Sequence, residues 1–386
     1  MRLLNKMSLV RKCIKLVDNN FFFKDGEREK WDINKKKLIS EIKAVKTQEE
    51  TLSIIDKYLI DLKDPHTKLF FKERPLQILP YNFIFIHKKL YLECEKGLKQ
   101  VIFINQECVQ TIFDRYLEIY KSYPLVLIEN ELIKDVQFMK RSFNKSGLQI
   151  SYDTGEEKIL YPIETEIWMR NLKNQSSDYQ VRSVSVRRVD EDCVCIQIVT
   201  FRDKNVISQI MDGLAEIQGG YTTVIFDVRN NMGGYIEVAK ELVSKIIDSK
   251  VRMNYEIARM DGRLLKIMPM DIQENTYDGF KNKRILVFVN YRTMSSAEYI
   301  FAHALQLKGI SIIGEETAGL KDQAAIIPIS DEVSLQVTTK RYVQNGDFIQ
   351  KGIIPDVFIR NENIDVNVQD AYMEWYMENK KSVVIG

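Results

Sequence analysis

The chain has 386 residues and a formal net charge of +2, from 56 Lys and Arg against 54 Asp and Glu. This balance gives no general electrostatic attraction to nucleic acid or to an anionic membrane, so neither is expected as a partner. With 45% hydrophobic residues, 28% charged residues and eight prolines, the composition excludes a disordered or fibrous chain. The length favours two or three domains.

The N-terminal segment and the cysteines indicate a cytoplasmic location. Charged side chains interrupt residues 1–20, so no signal peptide is expected, and no later segment is apolar enough to span a bilayer. The cysteine count is odd and the spacing is not that of a metal site, so the thiols are expected to be reduced: Cys13, Cys94, Cys108, Cys193 and Cys195. Because the three histidines are scattered, neither a metal ion nor an organic cofactor is expected.

Two regions precede the largest predicted domain. In residues 1–74, apolar side chains recur at helical spacing, which predicts a helical N-terminal region ending near Lys63-Asp64-Pro65. In residues 75–165, short apolar runs alternate with one amphipathic helix near 108–120, which predicts a small mixed β/α module. Residues 97–105 resemble the core of a PDZ-like domain, although Gln106 stands where that pattern has a glycine, and an ordinary β/α module remains the alternative.

Residues 166–386 form the predicted third domain. From about residue 190, strands alternate with helical patterns of ten to fifteen residues, which predicts βαβ units, an α/β fold and a mostly parallel sheet. Residues 325–329 and 333–343 predict a hairpin beside this sheet, and a last helix is expected near 368–378. Ligand sites of open α/β sheets lie at the carboxyl ends of the strands, so the loops there are the candidate functional sites.

The first such loop follows a predicted buried strand at 223–228 and contains Gly233 and Gly234. Paired glycines allow unusual backbone angles and can bring N–H groups close to a ligand, as an oxyanion hole requires. A tight strand-to-helix turn explains the same pair without any function.

The second loop follows a predicted strand at 285–289 and leads to Ser295, at the start of a predicted helix over 295–307. A helix N-terminus stabilises developing negative charge, although serine there is more often a simple N-cap. The third loop follows a predicted strand at 310–313 and leads to Lys321. A lysine acts as a base at neutral pH only when burial lowers its pKa, and most lysines in such loops are solvated.

Taken together, the three loops resemble the C-terminal processing (tail-specific) serine peptidases, relatives of the tricorn core protease and of retinoid-binding repeat proteins. Residues 227–234 (DVRNNMGG) are similar to the family's D-L-R-N-N-x-G-G, 295–298 (SSAE) to its S-A-S-E, and 314–319 (GEETAG) to its G-E-x-T-x-G. Residues 338–357, which include Asn345-Gly346, and residues 62–67 (LKDPHT) also match family segments. The resemblance implies a crotonase-like βαβ core.

The resemblance also implies roles for individual residues. Ser295 is the expected nucleophile, with Ser296 as the close alternative. The Ser296 N–H is expected to form an oxyanion hole together with the N–H of Gly233 or Gly234. The family's lysine base follows the last motif glycine directly, whereas Leu320 stands there in this chain and Lys321 comes one residue later.

His66 is therefore the preferred base, as in tricorn-like members, because a neutral imidazole needs no tuning to accept a proton near pH 7. A capping or structural role for His66 is the alternative, and Lys321 remains the other candidate base. His87 is predicted to lie on the surface and His303 to be packed. The acid that orients the base is left open, with Glu298 as a possibility beside Asp64, Glu315 and Asp322.

Three functions are compatible with these patterns. The leading one is a serine endopeptidase acting on a peptide or protein substrate, with a homo-oligomer as the expected assembly. The second is a non-catalytic protein that binds peptides or apolar ligands on the same scaffold. The third is a crotonase-like acyl-CoA enzyme, against which the serine at the helix start and the GEETAG loop both argue.

Overall fold

In the computed structural model, the described residues are 6–23, 26–71, 77–95, 97–121, 123–138, 147–168, 183–260, 263–344, 347–348, 351–361 and 370–380. The predicted boundary between residues 74 and 75 and the Asn345-Gly346 segment lie outside them. The α-helices are α1 (Lys6–Asn20), α2 (Glu27–Ala44), α3 (Gln48–Ile60), α4 (Val109–Ile119), α5 (Leu125–Gln137), α6 (Val206–Ala215), α7 (Ile236–Ile246), α8 (His303–Leu307) and α9 (Ala371–Asn379).

The strands form three 6-stranded sheets, one of which is mostly parallel, and one 2-stranded sheet. In chain order they are β1 (Lys68–Phe71), β2 (Gln77–Ile78), β3 (Phe83–Ile86), β4 (Lys89–Cys94), β5 (Gly97–Ile104), β6 (Glu107–Cys108), β7 (Leu148–Tyr152), β8 (Glu157–Leu160), β9 (Ile163–Glu164), β10 (Val184–Arg188), β11 (Cys193–Ile198), β12 (Thr223–Asp227), β13 (Val251–Met260), β14 (Arg263–Ile272), β15 (Arg284–Val289), β16 (Ser311–Gly314), β17 (Gln323–Pro328), β18 (Val333–Gln344), β19 (Asp347–Phe348) and β20 (Val357–Phe358).

The helices expected in the N-terminal region are present as α1, α2 and α3. The last of them begins with a capping box, in which Thr47 accepts a hydrogen bond from the Glu50 N–H and the Glu50 side chain accepts one from the Thr47 N–H. The buried side chains of the three helices share one apolar core with Leu335 and Val337 of β18. The helical region is therefore packed against the hairpin that follows the third motif.

The middle module contains an antiparallel sheet with the order β3-β4-β5-β7-β8 and two helices. Helix α4 matches the predicted amphipathic helix, whereas α5 was not predicted. It begins directly after Pro124, a residue that fits the start of a helix, and its buried positions include Val126, Glu129 and Leu132. The charged Glu129 within that face interrupts the apolar periodicity on which the sequence prediction depended.

The mostly parallel sheet predicted for the third domain has the order β10-β11-β12-β15-β16-β20. Its pairs from β11 to β20 are parallel, and only β10 is antiparallel to its neighbour. Helices α6 and α7 cover one face and α9 covers the other. Because β12, β15 and β16 are neighbours, the loops that follow them meet at one edge of the sheet.

A second sheet lies beside the first and has the order β1-β18-β13-β14, with β17 and β19 also paired to β18. The predicted hairpin corresponds to β17 and β18, which pair antiparallel from Gln323↔Lys340 to Pro328↔Ser334. The hairpin of β13 and β14 was not predicted. Within the described residues, no helix has the length and apolar character needed to cross a bilayer.

Candidate active site

Ser295 lies at a sharp turn after β15 and has a left-handed backbone conformation with a φ of +56°. A non-glycine residue rarely adopts this conformation, so the surrounding contacts must hold it in place. The predicted single helix over 295–307 is instead a 3-10 turn (Ser295–Ala297), a π-helix (Glu298–Ala302) and α8. The Ser295 side chain is partly exposed, whereas Ser296 is buried and its hydroxyl donates to the Gly234 carbonyl over 3.3 Å.

Glu298 connects the Ser295 turn to the third motif. Its fully buried carboxylate accepts hydrogen bonds from the Ser295 N–H at 3.1 Å and from the Leu320 N–H at 2.6 Å. It also accepts from the Thr317 hydroxyl at 2.6 Å and from the Gly319 N–H at 2.8 Å. Burial raises the pKa of Glu298, and these donors, together with the charge of Lys321, oppose that rise. The Ser295 N–H is also shared with the Leu320 carbonyl at 2.9 Å.

The glycine pair lies directly against this turn. Gly233 has a φ of +83°, and a Cβ placed on it would lie 2.7 Å from the Ser295 Cβ and 3.0 Å from the Ser296 nitrogen. Its own N–H donates to the Asn231 side-chain oxygen over 2.8 Å. In the part of the chain that the structure describes, no hydrogen bond uses the N–H of Gly234 or of Ser296. Those two groups are thus the available donors among the three that the sequence suggested.

Lys321 comes directly after Leu320, whose carbonyl accepts a hydrogen bond from the Ser295 N–H. The Lys321 side chain is buried, with 5% of its surface exposed. Burial lowers the pKa of Lys321, while the charges of Glu298, Asp322 and Glu316 act in the opposite direction. His303, which was predicted to be packed, is buried, and its burial together with the charge of Lys321 lowers its pKa to about 4.

His66 lies beside a buried carboxylate on the segment that leads into β1. Its Nδ1 is 3.8 Å from Asp64 Oδ1, and that nitrogen is buried without a hydrogen-bond partner among the described residues. Asp64 accepts hydrogen bonds from the hydroxyls of Thr67 and Thr338, the latter at 2.6 Å. The acid beside His66 is therefore Asp64, whereas the four bonds given above direct Glu298 toward the Ser295 turn and its neighbouring loop.

The hairpin of β17 and β18 brings the two candidate bases toward the same region. Thr338, which donates to Asp64, pairs with Ala324, three residues after Lys321. No hydrogen bond within the described ranges joins the Ser295 hydroxyl to His66 or to Lys321. Catalytic hydrogen bonds are often long before the substrate binds, so both residues remain candidate bases.

Sequence reasoning missed a polar contact between the middle module and the turn that precedes Ser295. The Arg292 guanidinium donates from Nη1 to Glu129 Oε2 over 2.9 Å, and the Tyr291 hydroxyl donates to the same oxygen over 3.2 Å. Burial raises the pKa of Glu129 to about 7, although both of these partners oppose the rise. A glutamate on the buried face of an amphipathic helix was the signal that could have located this contact.

Comparisons with known proteins find similarity to peptidases. Residues 192–359 match the family model described as Peptidase family S41. A carboxy-terminal-processing protease of Bartonella bacilliformis is 22% identical over 213 residues, which are 50% of this chain and 46% of that protein. The match thus spans about half the length of this curated relative.

Solved structures show the same fold. Mature CPAF has a TM-score of 0.69 at 12% identity, covering 98% of this chain and 99% of its own. The photosystem II D1 C-terminal processing protease has a TM-score of 0.56 at 16% identity, covering 93% and 94% of the two chains. A peptidase-like protein of Parabacteroides merdae has a TM-score of 0.57 at 15% identity, covering 99% and 100%.

Proposed function

Because the chain carries a domain of peptidase family S41, we propose that it is a serine endopeptidase that cleaves peptide bonds through an acyl-enzyme on Ser295. The observation that carries this proposal is the left-handed turn at Ser295, which Glu298 holds against Gly233. A strained turn of this kind presents the hydroxyl of its residue outward, as nucleophilic attack requires. The hydroxyl of Ser296 is buried and donates a hydrogen bond to the Gly234 carbonyl, whereas the Ser295 side chain is partly exposed. This difference favours Ser295 as the nucleophile.

The oxyanion hole is assigned to the N–H groups of Ser296 and Gly234. The absence of a side chain on Gly233 leaves space beside the Ser296 nitrogen, where a Cβ would approach to 3.0 Å. Backbone N–H groups that are fixed before the reaction stabilise the developing oxyanion without reorganisation. Gly233 thus contributes space and Gly234 a donor.

His66 is assigned as the general base and Asp64 as the acid that orients it. Asp64 lies on the Nδ1 side of the ring, which leaves Nε2 to receive the proton of the Ser295 hydroxyl. Lys321 is the alternative base, because burial lowers its pKa toward the range in which an amine can accept a proton.

The reaction then proceeds in two steps. The Ser295 Oγ attacks the peptide carbonyl carbon while the base takes its proton, and the resulting oxyanion is held by the two N–H groups. Collapse breaks the C–N bond, and the base returns the proton to the leaving amine. A water molecule attacks the ester in the same way, with the base as its proton acceptor, and releases the second product with Ser295 restored.

The substrate is proposed to be an extended peptide near the C-terminus of a protein. Strand β17 begins two residues after Lys321 and pairs with β18 along one side. No strand in the described parts of the chain pairs with its other side. An extended peptide can add to such an edge through main-chain hydrogen bonds. Cleavage near a C-terminus is inferred from the activity named for two of the similar proteins.

Hydrolysis of internally quenched peptides tests the proposal. We expect cleavage by the wild type, no cleavage by Ser295→Ala, and unchanged cleavage by the control Ser208→Ala on the exposed face of α6. Of the two base variants, His66→Ala is expected to lose activity and Lys321→Ala to retain it.

A second candidate function, a non-catalytic peptide binder, is favoured by the missing hydrogen bond between Ser295 and either base. Binding without cleavage would select it.

A further inference from the structure

One face of helix α5 contacts the turn that leads to Ser295. Val126 and Glu129 lie three residues apart and are both buried, so they share a helix face. Val126 packs in a small apolar cluster with Met294 and Leu320. Met294 directly precedes Ser295, and the Leu320 carbonyl accepts the Ser295 N–H. Helix α5 thus touches both chain segments that hold the nucleophile.

The polar part of this contact is the pair of Glu129 and Arg292. The Glu129 carboxylate is fully buried, and the Arg292 side chain has 18% of its surface exposed. Arg292 also donates to the Phe85 carbonyl of β3 at 3.3 Å and to the Asn130 side chain at 3.5 Å. All three acceptors belong to the middle module, so this guanidinium fixes the turn at 290–294 to that module. Loss of one partner of a buried charge pair is strongly unfavourable, since the other charge is left without compensation.

The residues that precede α5 reach the segment of the candidate base as well. The Tyr123 hydroxyl donates to the Asp64 carbonyl at 3.4 Å, two residues before His66. Tyr123 and α5 therefore contact three separate parts of the candidate site: the nucleophile turn, the third motif and the His66 segment.

We propose that Glu129 is a positioning residue for Ser295, which acts through Arg292 to hold the turn at 290–294, so that the middle module is an integral part of the active site. This inference rests on the proposed function only for its catalytic consequence. The left-handed conformation of Ser295 is sparsely populated in polypeptides and persists only where the surroundings over-determine it. The contact with α5 supplies part of that determination from outside the family S41 domain.

Hydrogen exchange measured by mass spectrometry tests the positioning without reference to activity. In Glu129→Ala we expect faster exchange in peptides that cover residues 290–297, where the N–H groups of Thr293, Met294, Ser295 and Ala297 are hydrogen-bonded. The control Asp114→Asn removes a carboxylate from an exposed position of α4 and is expected to leave exchange unchanged. Unchanged exchange in Glu129→Ala would overturn the proposal.

Kinetics test the catalytic consequence. We expect Glu129→Ala to lower kcat by about 10- to 100-fold with KM within about threefold, because small displacements of a nucleophile cost about that much. Glu129→Gln, which keeps an acceptor for Arg292, is expected to recover most of the rate, and Glu129→Ala/Arg292→Ala to be no slower than the worse single variant. Equal losses in Glu129→Ala and Asp114→Asn, or additive losses in the double variant, would contradict the proposal. If Glu129→Ala does not fold, Arg292→Lys takes its place in both experiments, and Glu129→Gln remains the variant expected to resemble the wild type.

A wild type that neither cleaves peptides nor reacts with a fluorophosphonate would refute the proposed function. The exchange experiment would still decide whether Glu129 positions the turn. The two failures are therefore distinguishable.

Discussion

The Glu298 carboxylate accepts the backbone N–H of Ser295 over 3.1 Å, although it comes only three residues later in the chain. This contact closes the turn whose left-handed residue is the candidate nucleophile. The same carboxyl group binds three donors of the loop at 317–320, so one buried side chain fixes two loops that follow different strands. Its place in the motif is explained by backbone positioning, while its orienting role toward a base stays a prediction.

Replacement of Glu298 by Gln is expected to lower both stability and activity. The amide keeps one acceptor oxygen but presents an NH₂ group to donors that previously faced a carboxylate, which leaves buried polar groups unsatisfied. Each such group costs about 1–3 kcal/mol, so we expect a loss of roughly 2–4 kcal/mol in the free energy of unfolding. Urea denaturation measures this loss. The matched variant Glu237→Gln, at an exposed position of α7, should unfold like the wild type; equal stability of the two variants would contradict the role of Glu298.

Replacement of Gly233 by Ala is expected to abolish the reaction of Ser295. The new Cβ would lie 2.7 Å from the Ser295 Cβ and 2.9 Å from the Met294 carbonyl oxygen, so the nucleophile turn must shift. Gly309→Ala is the control, since Gly309 has a similar φ of +77° but no atom within 4 Å of an added Cβ. Both variants carry a backbone penalty of about 1–2 kcal/mol, whereas only the first should lose peptidase activity, by at least about 100-fold. Similar activities of the two variants would count against the proposed oxyanion hole.

The buried Glu129 is expected to make stability depend on pH. Burial raises its pKa from 4.5 in the unfolded chain to about 7 in the native state. The native state therefore binds this proton more tightly, so the stabilising contribution is complete below about pH 4.5 and is lost as the pH rises through about 7. Each pKa unit corresponds to about 1.4 kcal/mol, so the wild type should lose on the order of 2–3 kcal/mol between pH 5 and pH 8 from this group.

The comparison for this prediction is Glu129→Gln, which cannot ionise at this position. Urea unfolding at pH 5 and pH 8 gives the difference in stability between the variant and the wild type at each pH. Relative to the wild type, the variant should be more stable at pH 8 than at pH 5. The nearby Arg292, Tyr291, His87 and Glu315 are present in both proteins, so a difference that does not change with pH would contradict the assignment to Glu129.

Lys321→Met separates the two candidate bases. Burial lowers the pKa of Lys321, so its native state binds the proton less tightly than the unfolded chain, and the cost of the buried charge fades as the pH rises toward 10.5. We expect the advantage of the Met variant in unfolding free energy to be larger at pH 7 than at pH 10. With His66 as the base, kcat/KM for a quenched peptide should change by less than about threefold. A loss of about 100-fold or more would identify Lys321 as the base instead.

The sequence predicted the parallel sheet and the meeting of three loops at its edge because these features follow from local patterns. Buried strands such as β12 read as continuous apolar runs, and the loops after neighbouring parallel strands lie on one side of the sheet. The glycine pair and Ser295 could be located for the same reason. Their spacing from the strands is fixed by the chain itself.

Other features depend on contacts between distant segments and could not be read from local patterns. The π-helix after Ser295 begins at Glu298, whose partners lie some twenty residues further along the chain. The choice of base depends on how the hairpin of β17 and β18 approaches the His66 segment. The role of α5 depends on Glu129 meeting Arg292, 163 residues away.

The central claim is that Ser295 is an activated nucleophile, and covalent labelling tests it most directly. The purified protein would be treated with a fluorophosphonate probe, and the adduct mapped by mass spectrometry in the wild type, Ser295→Ala and Ser296→Ala. The account predicts a single adduct on Ser295 in the wild type and in Ser296→Ala, and none in Ser295→Ala. A folded wild type that remains unlabelled, or an adduct on Ser296, would contradict it.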